Sequence, residues 1–335
     1  MRGPARLAAR ACLAAALGVA APSANAAPVE EHPLPAACHA VAVQDGLLVL
    51  GQSGGIVTLD SGDPARPREL GRLRLDATIV GVVLDGARAW LAGGSQGLFR
   101  VDLSEPAAPR LVQRFDVDGS VRAVALGRDR LFLAASQEGL GVVDLSLPDR
   151  LRMTARIGTR DEVRALALRE NLLATAEESA GVRLFEVSRP DVPRELAQVG
   201  IEGALDLAFV GEFLVVAAGR RGIVLLDLAD PRSPRQAWEV PTPRPASTVA
   251  AQGRWALVGC GSAGVQVVDP LASDGPRVLR SLRAPGRHPA GRLAADGSIA
   301  FVAADRGGFV VFDLTDLADP RLLHPTSRRM RVEIP

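Results

Sequence analysis

The residues able to do chemistry are few, and their spacing is unpromising. His32, His39, His288 and His324 stand at no metal-ligand spacing from one another, and no Cys-x-x-Cys pair accompanies them. No metal site and no cofactor is expected from such a set. Phosphate-binding loops and His-Glu-x-x-His motifs are missing from the chain, which also has no Tyr to serve as a phenolic nucleophile. Beyond an early Cys12 there are two cysteines, Cys38 and Cys260. They fall far apart in the repeat pattern described below, so two buried free thiols are favoured over a bridge. What remains is charge. Arginines and carboxylates recur at loop positions and could hold an anionic or polar group, or move a proton.

Composition narrows the partners and the scaffold. All 39 basic residues are Arg, set against 38 acids for a formal charge of +1, which gives no electrostatic case for nucleic acid. With 335 residues, 47% of them hydrophobic, the chain can bury a core, while 34 Gly and 24 Pro along its length favour many short elements over long helices. Residues 1–26 read as a secretory signal peptide: Arg2, Arg6 and Arg10 precede an apolar run from Ala11 to Ala21, and Ala24-Asn25-Ala26 offers a small-residue cleavage site. That run is about half of the roughly 20 residues that span a bilayer. Its removal takes away three Arg and no acids, changing the charge from +1 to −2. The mature chain is expected outside the cytoplasm, periplasmic or at the cell surface, as a monomer without a transmembrane segment.

An internal period dominates the remainder. An acid closes an apolar run at Asp60, Asp102, Asp144, Glu186, Asp227, Asp269 and Asp313, at separations of 42, 42, 42, 41, 42 and 44 residues, and five residues before each stands a glycine, from Gly55 to Gly308. The third unit is the clearest. Val121–Leu126, Leu131–Ala135, Leu140–Val143 and Leu151–Ile157 read as four strands, the last the most polar. A four-stranded unit that is apolar on both faces cannot bury them alone. Seven stacked radially can, and sheet twist closes the stack. The expected fold is all-β, a seven-bladed β-propeller of about 42-residue four-stranded repeats. It occupies residues 37–326, after a short segment 27–36 and before a tail 327–335. The glycine suits a tight turn with φ > 0, and the acid can accept from N–H groups of the turn that follows it. Prolines such as Pro64, Pro106, Pro231 and Pro320 precede the outermost strand, an edge where a missing donor discourages pairing. Met330–Ile334 or the N-terminal segment could assist ring closure.

Gly139-Leu140-Gly141-Val142-Val143-Asp144-Leu145-Ser146, Gly222 to Leu228 followed by Asp230-Pro231, and Gly264 to Pro270 resemble the LVIVD repeat. The resemblance runs from Cys38 to Leu323. It implies an exported or surface-associated bacterial or archaeal propeller and brings no catalytic residues with it. Glu186 and Pro270 depart from the pattern, at turns only.

The variable positions lie on one face of such a ring. Turns from the second to the third strand and entries to the inner strands emerge together around the central channel. The turns carry Glu177, Glu178, Arg220, Arg221, Asp305 and Arg306, and the entries carry Arg122, Arg164, Asp206 and Arg292. Arg287-His288 belongs to the same face. The leading expectation is a non-catalytic module that binds a protein or cell-envelope partner through these loops. The alternative is an enzyme of hydrolase or lyase type with a polar site at the channel mouth, where Asp206, Glu177 or Glu178 acts as acid or base and the arginines hold an anionic substrate.

Overall fold

A computed structural model describes residues 31–32, 37–136, 138–147, 150–159, 161–189, 192–283, 291–304, 308–317, 319–324 and 330–331. The signal segment and the rest of the chain's first 30 residues lie outside these. Every regular element described is a β-strand. Six sheets each run through four strands in chain order, all antiparallel, with the third unit at Ala123–Leu126, Arg130–Ala134, Leu140–Asp144 and Arg152–Ile157. The first sheet combines Cys38–Gln44, one continuous run Leu47–Asp60, and Arg68–Thr78. That run folds back on itself. Ser61 N donates to Gly46 O at 2.8 Å, so its two ends lie side by side and the first blade also has four strands.

The alternation of side chains explains why the sheets stack. In the fifth blade Leu214, Val216, Val224 and Leu226 point to the fourth, while Val215, Ala217, Ile223 and Leu225 point to the sixth. All are 0% exposed, and full burial of a Val, Leu or Ile side chain contributes about 1.5–3 kcal/mol. Seven apolar clusters fill the seven seams. The closing seam joins Val41, Leu48, Leu50 and Leu59 of blade 1 to Phe301, Phe309 and Val311 of blade 7. Each blade is built from contiguous chain, so the ring closes by side-chain packing without an exchanged strand. The two terminal segments do meet: Glu31–His32 pairs antiparallel with Met330–Arg331, against the outer strand of blade 1.

Both repeated residues do what the spacing implies. The glycine before every third strand has positive φ, from 82° at Gly264 to 137° at Gly55. At Gly139 and Gly264 a side chain would also collide with an outer-strand carbonyl, that of Ile157 or Leu282. Turn geometry and strand spacing therefore both demand glycine. The six aspartates each accept from the backbone N–H two residues on, as Asp144 does from Ser146 at 2.8 Å and Asp102 from Ser104 at 2.9 Å. Glu186, one carbon longer, takes the Ser188 hydroxyl instead at 3.1 Å.

Two further repeats emerge only from the strand register. Each acid faces an arginine that opens the outer strand: Arg68, Arg110, Arg152, Arg194, Arg235, Arg277 and Arg321. Each outer strand also carries one extra residue, so the pairing slips by one at the same place in all seven blades. Such bulges twist an exposed edge away from further pairing.

The aspartate turns make stability depend on pH. The Ser104 backbone N–H holds the Asp102 carboxyl below its ordinary range, the Ser146 N–H does so at Asp144, and the Thr315 hydroxyl, then its N–H, does so at Asp313. A carboxylate whose folded pKa is depressed stabilises fully above its unfolded value, about 4, and loses that contribution as pH falls through the folded one. Thermal scans should be flat above pH 5 and fall steeply below 4. Asp144→Asn, which keeps an acceptor oxygen but no titration, should flatten part of that fall; an unchanged profile would remove the turn from the account.

Candidate functional site

The channel mouth is built by the first residues of the inner strands, and the second-to-third turns stand beside them. Gly94 N and O bond Val121, and Gly219 N and O bond Ala246, at 2.9–3.1 Å. Each turn is thus tied to the entry of the next blade, and both emerge on one face.

Strand pairing sorts the entry residues into two levels. Val80, Arg122, Leu205, Ser247 and Gly291 each donate their N–H to the end of the neighbouring second strand; with His39 and Arg164 they line an outer cavity of about 410 Å³. One residue further in, Ala40, Gly81, Ala123, Ala165, Asp206, Thr248 and Arg292 line a deeper one of about 190 Å³. The four entry charges therefore do not share one ring. By strand position Arg122 and Arg164 belong to the rim and Asp206 and Arg292 to the level below it, while the side chains of Arg122 and Arg292 each reach both cavities.

Each arginine is braced by an acid. Arg122 pairs through Nε with Glu162 and lies 3.3 Å from Ser136 Oγ. Arg164 donates Nε to Glu178 at 2.8 Å, is bound again there through Nη2, and lies 3.6 Å from Glu162. Glu162, shared by both, escaped the sequence reading because it precedes its strand by one residue and follows no repeated position. Its neighbour Asp161 is held below the ordinary carboxylate range by the Ser179 hydroxyl, with help from the N–H groups of Ser179 and Glu162. Asp206 is almost fully buried. It accepts from Thr248 Oγ1 at 2.8 Å, Val249 N at 3.1 Å, Leu207 N at 3.0 Å and Arg292 Nη1 at 3.3 Å, so it joins blades 5, 6 and 7.

Other candidates lie elsewhere. Glu177 is 0% exposed and faces the seam with blade 3, where it meets Thr175 Oγ1 at 3.0 Å and Arg183 Nη1 at 3.3 Å. Arg183 in turn reaches Glu195 at 2.6 Å and Gly158 O at 3.2 Å, with its guanidinium over Phe185. Arg221 turns outward to Glu239 at 2.6 Å, and Arg220 is exposed at the turn. Asp305, Arg306, Arg287 and His288 lie outside the described residues. His39 Nε2 lies 3.1 Å from Ser53 Oγ at the rim. Cys38 and Cys260 are both free and buried, in different seams, and burial pushes the Cys260 thiol up to about 11. Among the described residues no cluster of His, Cys, Asp and Glu could hold a metal, and no helix is long and apolar enough to cross a membrane.

Comparison with known proteins bears on the scaffold. The LVIVD repeat model matches residues 80–117 and 289–324, which correspond to blades 2 and 7. No curated protein matches the chain. Among solved structures, the computationally designed Ika8 protein is similar at 16% identity and a TM-score of 0.67 over 89% of this chain and 90% of that one. A chain of the mitotic checkpoint complex is similar at 14% identity and a TM-score of 0.71 over 91% and 100%. At these identities the likeness is one of fold. Repeat match and ring together make this chain a seven-bladed β-propeller that carries LVIVD repeats.

Proposed function

We propose that the chain is an exported, non-catalytic binding module that presents its channel-mouth face to a protein or cell-envelope partner. One observation carries the reading: the two faces of the ring are unlike. On the far face each blade repeats an acid opposite an arginine, because the turn after the third strand dictates both. On the mouth face the same fold sets no side chain, and each blade differs, from Val80 and Ser247 to Arg122 and Arg164. A rigid frame with one uniform and one individual face is suited to recognition by the second. The mouth carboxylates Glu162, Glu178 and Asp206 each face an arginine, an arrangement that positions cations and gives no support to a poised general base. The signal-like residues 1–26 support export.

The test is capture from cell-envelope extract by the immobilised protein. Retention of a partner should fall at least about tenfold with Arg122→Gln and Arg220→Gln together, a change of roughly 1.4 kcal/mol. Arg232→Gln, in the exposed turn that follows the third strand of blade 5 on the far face, should leave it unchanged. Loss on the far face alone, or no capture at all, would overturn the reading.

A further inference from the structure

Among the described residues, the outer cavity is lined by three arginines and no carboxylate: Arg122, Arg164 and Arg292 face it, together with His39 and the apolar Val80 and Leu205. The acids that hold these arginines, Glu162, Glu178 and Asp206, are absent from its wall. Each guanidinium is thus fixed from behind, and each has five N–H donors in a planar fork. Among the described residues, Arg122 bonds only through Nε, Arg292 only through Nη1, and Arg164 through Nε and Nη2. Arg122 keeps both terminal amino groups for a ligand, Arg292 keeps Nε and Nη2, and Arg164 keeps Nη1. The volume of about 410 Å³ lies within the range of small-molecule sites, about 300–1,000 Å³.

We propose that the channel mouth binds a small organic carboxylate on a short apolar body, held by Arg122, Arg164 and Arg292, with Val80 and Leu205 against the body. The inference rests on the mouth being the recognition face and names what it recognises. A carboxylate matches the guanidinium fork in shape. Charge argues for a single carboxylate rather than a phosphate dianion: the three arginines are already balanced by three acids, so the site offers directed donors without surplus positive charge. The apolar share of the wall gives the body of the ligand a place that a bare inorganic anion cannot use. The bracing also pre-organises the arginines, which reduces the ordering cost of binding.

Isothermal titration of the purified protein with sodium hexanoate, acetate and inorganic phosphate decides the matter. Hexanoate should bind saturably, about tenfold or more tighter than acetate, as burial of two or more extra methylenes implies. Phosphate should bind more weakly than hexanoate. Arg122→Gln should weaken hexanoate about tenfold, and Arg122→Lys, which keeps charge and loses the fork, should fall between. Arg221→Gln, outside the cavity, should change nothing. The Arg122 side chain is 41% exposed and on the rim, so an unchanged melting temperature will certify the fold of its variants; Arg292 is avoided because its loss would strand buried Asp206. No hexanoate binding at millimolar concentration, phosphate binding more tightly than hexanoate, or an affinity untouched by Arg122→Gln would each overturn the proposal. Partner capture without hexanoate binding would remove the ligand and leave the recognition face standing.

Discussion

Replacement of Phe301 by alanine should cost about 3–5 kcal/mol of unfolding free energy, the usual toll for emptying a buried aromatic site. Phe301 is 1% exposed and packs in the seam where blade 7 meets blade 1, among Phe309, Leu48, Leu50 and Leu59. That seam is filled by side-chain packing, with no strand shared between the blades and no disulfide among the described residues. The comparison is Phe132→Ala, 2% exposed in the seam between blades 3 and 4. In a closed ring the two seams are equivalent and the two costs should agree within about 1 kcal/mol. In an open stack Phe301 would face water, and its replacement would cost almost nothing. Urea titration of both variants separates these outcomes, provided each unfolds in a single cooperative transition.

Replacement of Arg183 by methionine should cost a similar amount, about 3–5 kcal/mol, for an electrostatic reason. Its partner Glu177 is wholly buried between blades 3 and 4, and one carboxylate oxygen has no hydrogen-bond donor among the described residues. Without the guanidinium, that charge would be left in a dry seam beside Thr175 and Phe185. The double variant Arg183→Met with Glu177→Leu should recover most of the loss, because well-packed apolar residues commonly substitute for a buried ion pair at little cost. Denaturation of the single and double variants closes the cycle. If the double variant is as unstable as Arg183→Met alone, the cost comes from packing against Phe185 rather than from a stranded charge.

Glu177 also shows where the sequence stops being informative. It adjoins Glu178 at a variable turn and looks like a mouth residue, as its neighbour is. Strands alternate sides, however, so two adjacent acids point to different places: Glu178 to Arg164 at the rim, Glu177 into the seam. The same one-residue arithmetic separates Arg122 and Arg164 from Asp206 and Arg292. Aligned by eye they look equivalent, but paired with their second strands they fall on two levels. Arg110 and its six counterparts were visible as letters in every unit. Their pairing with the acids depends on a bulge in the outer strand, and no single strand displays that bulge.

The amino-acid sequence by itself determined the number of blades, their four strands and the places of the glycines and aspartates. Those features follow from local burial and local turn geometry repeated seven times, and repetition makes a weak local signal strong. Only the tertiary structure decided which blade touches which, which acid braces which arginine, and which charges face the channel. Those outcomes depend on side-chain direction, within a blade for Arg164 and Glu178 and across blades for Arg122 with Glu162 and Arg292 with Asp206, and a shift of one position reverses the facing while leaving the composition unchanged.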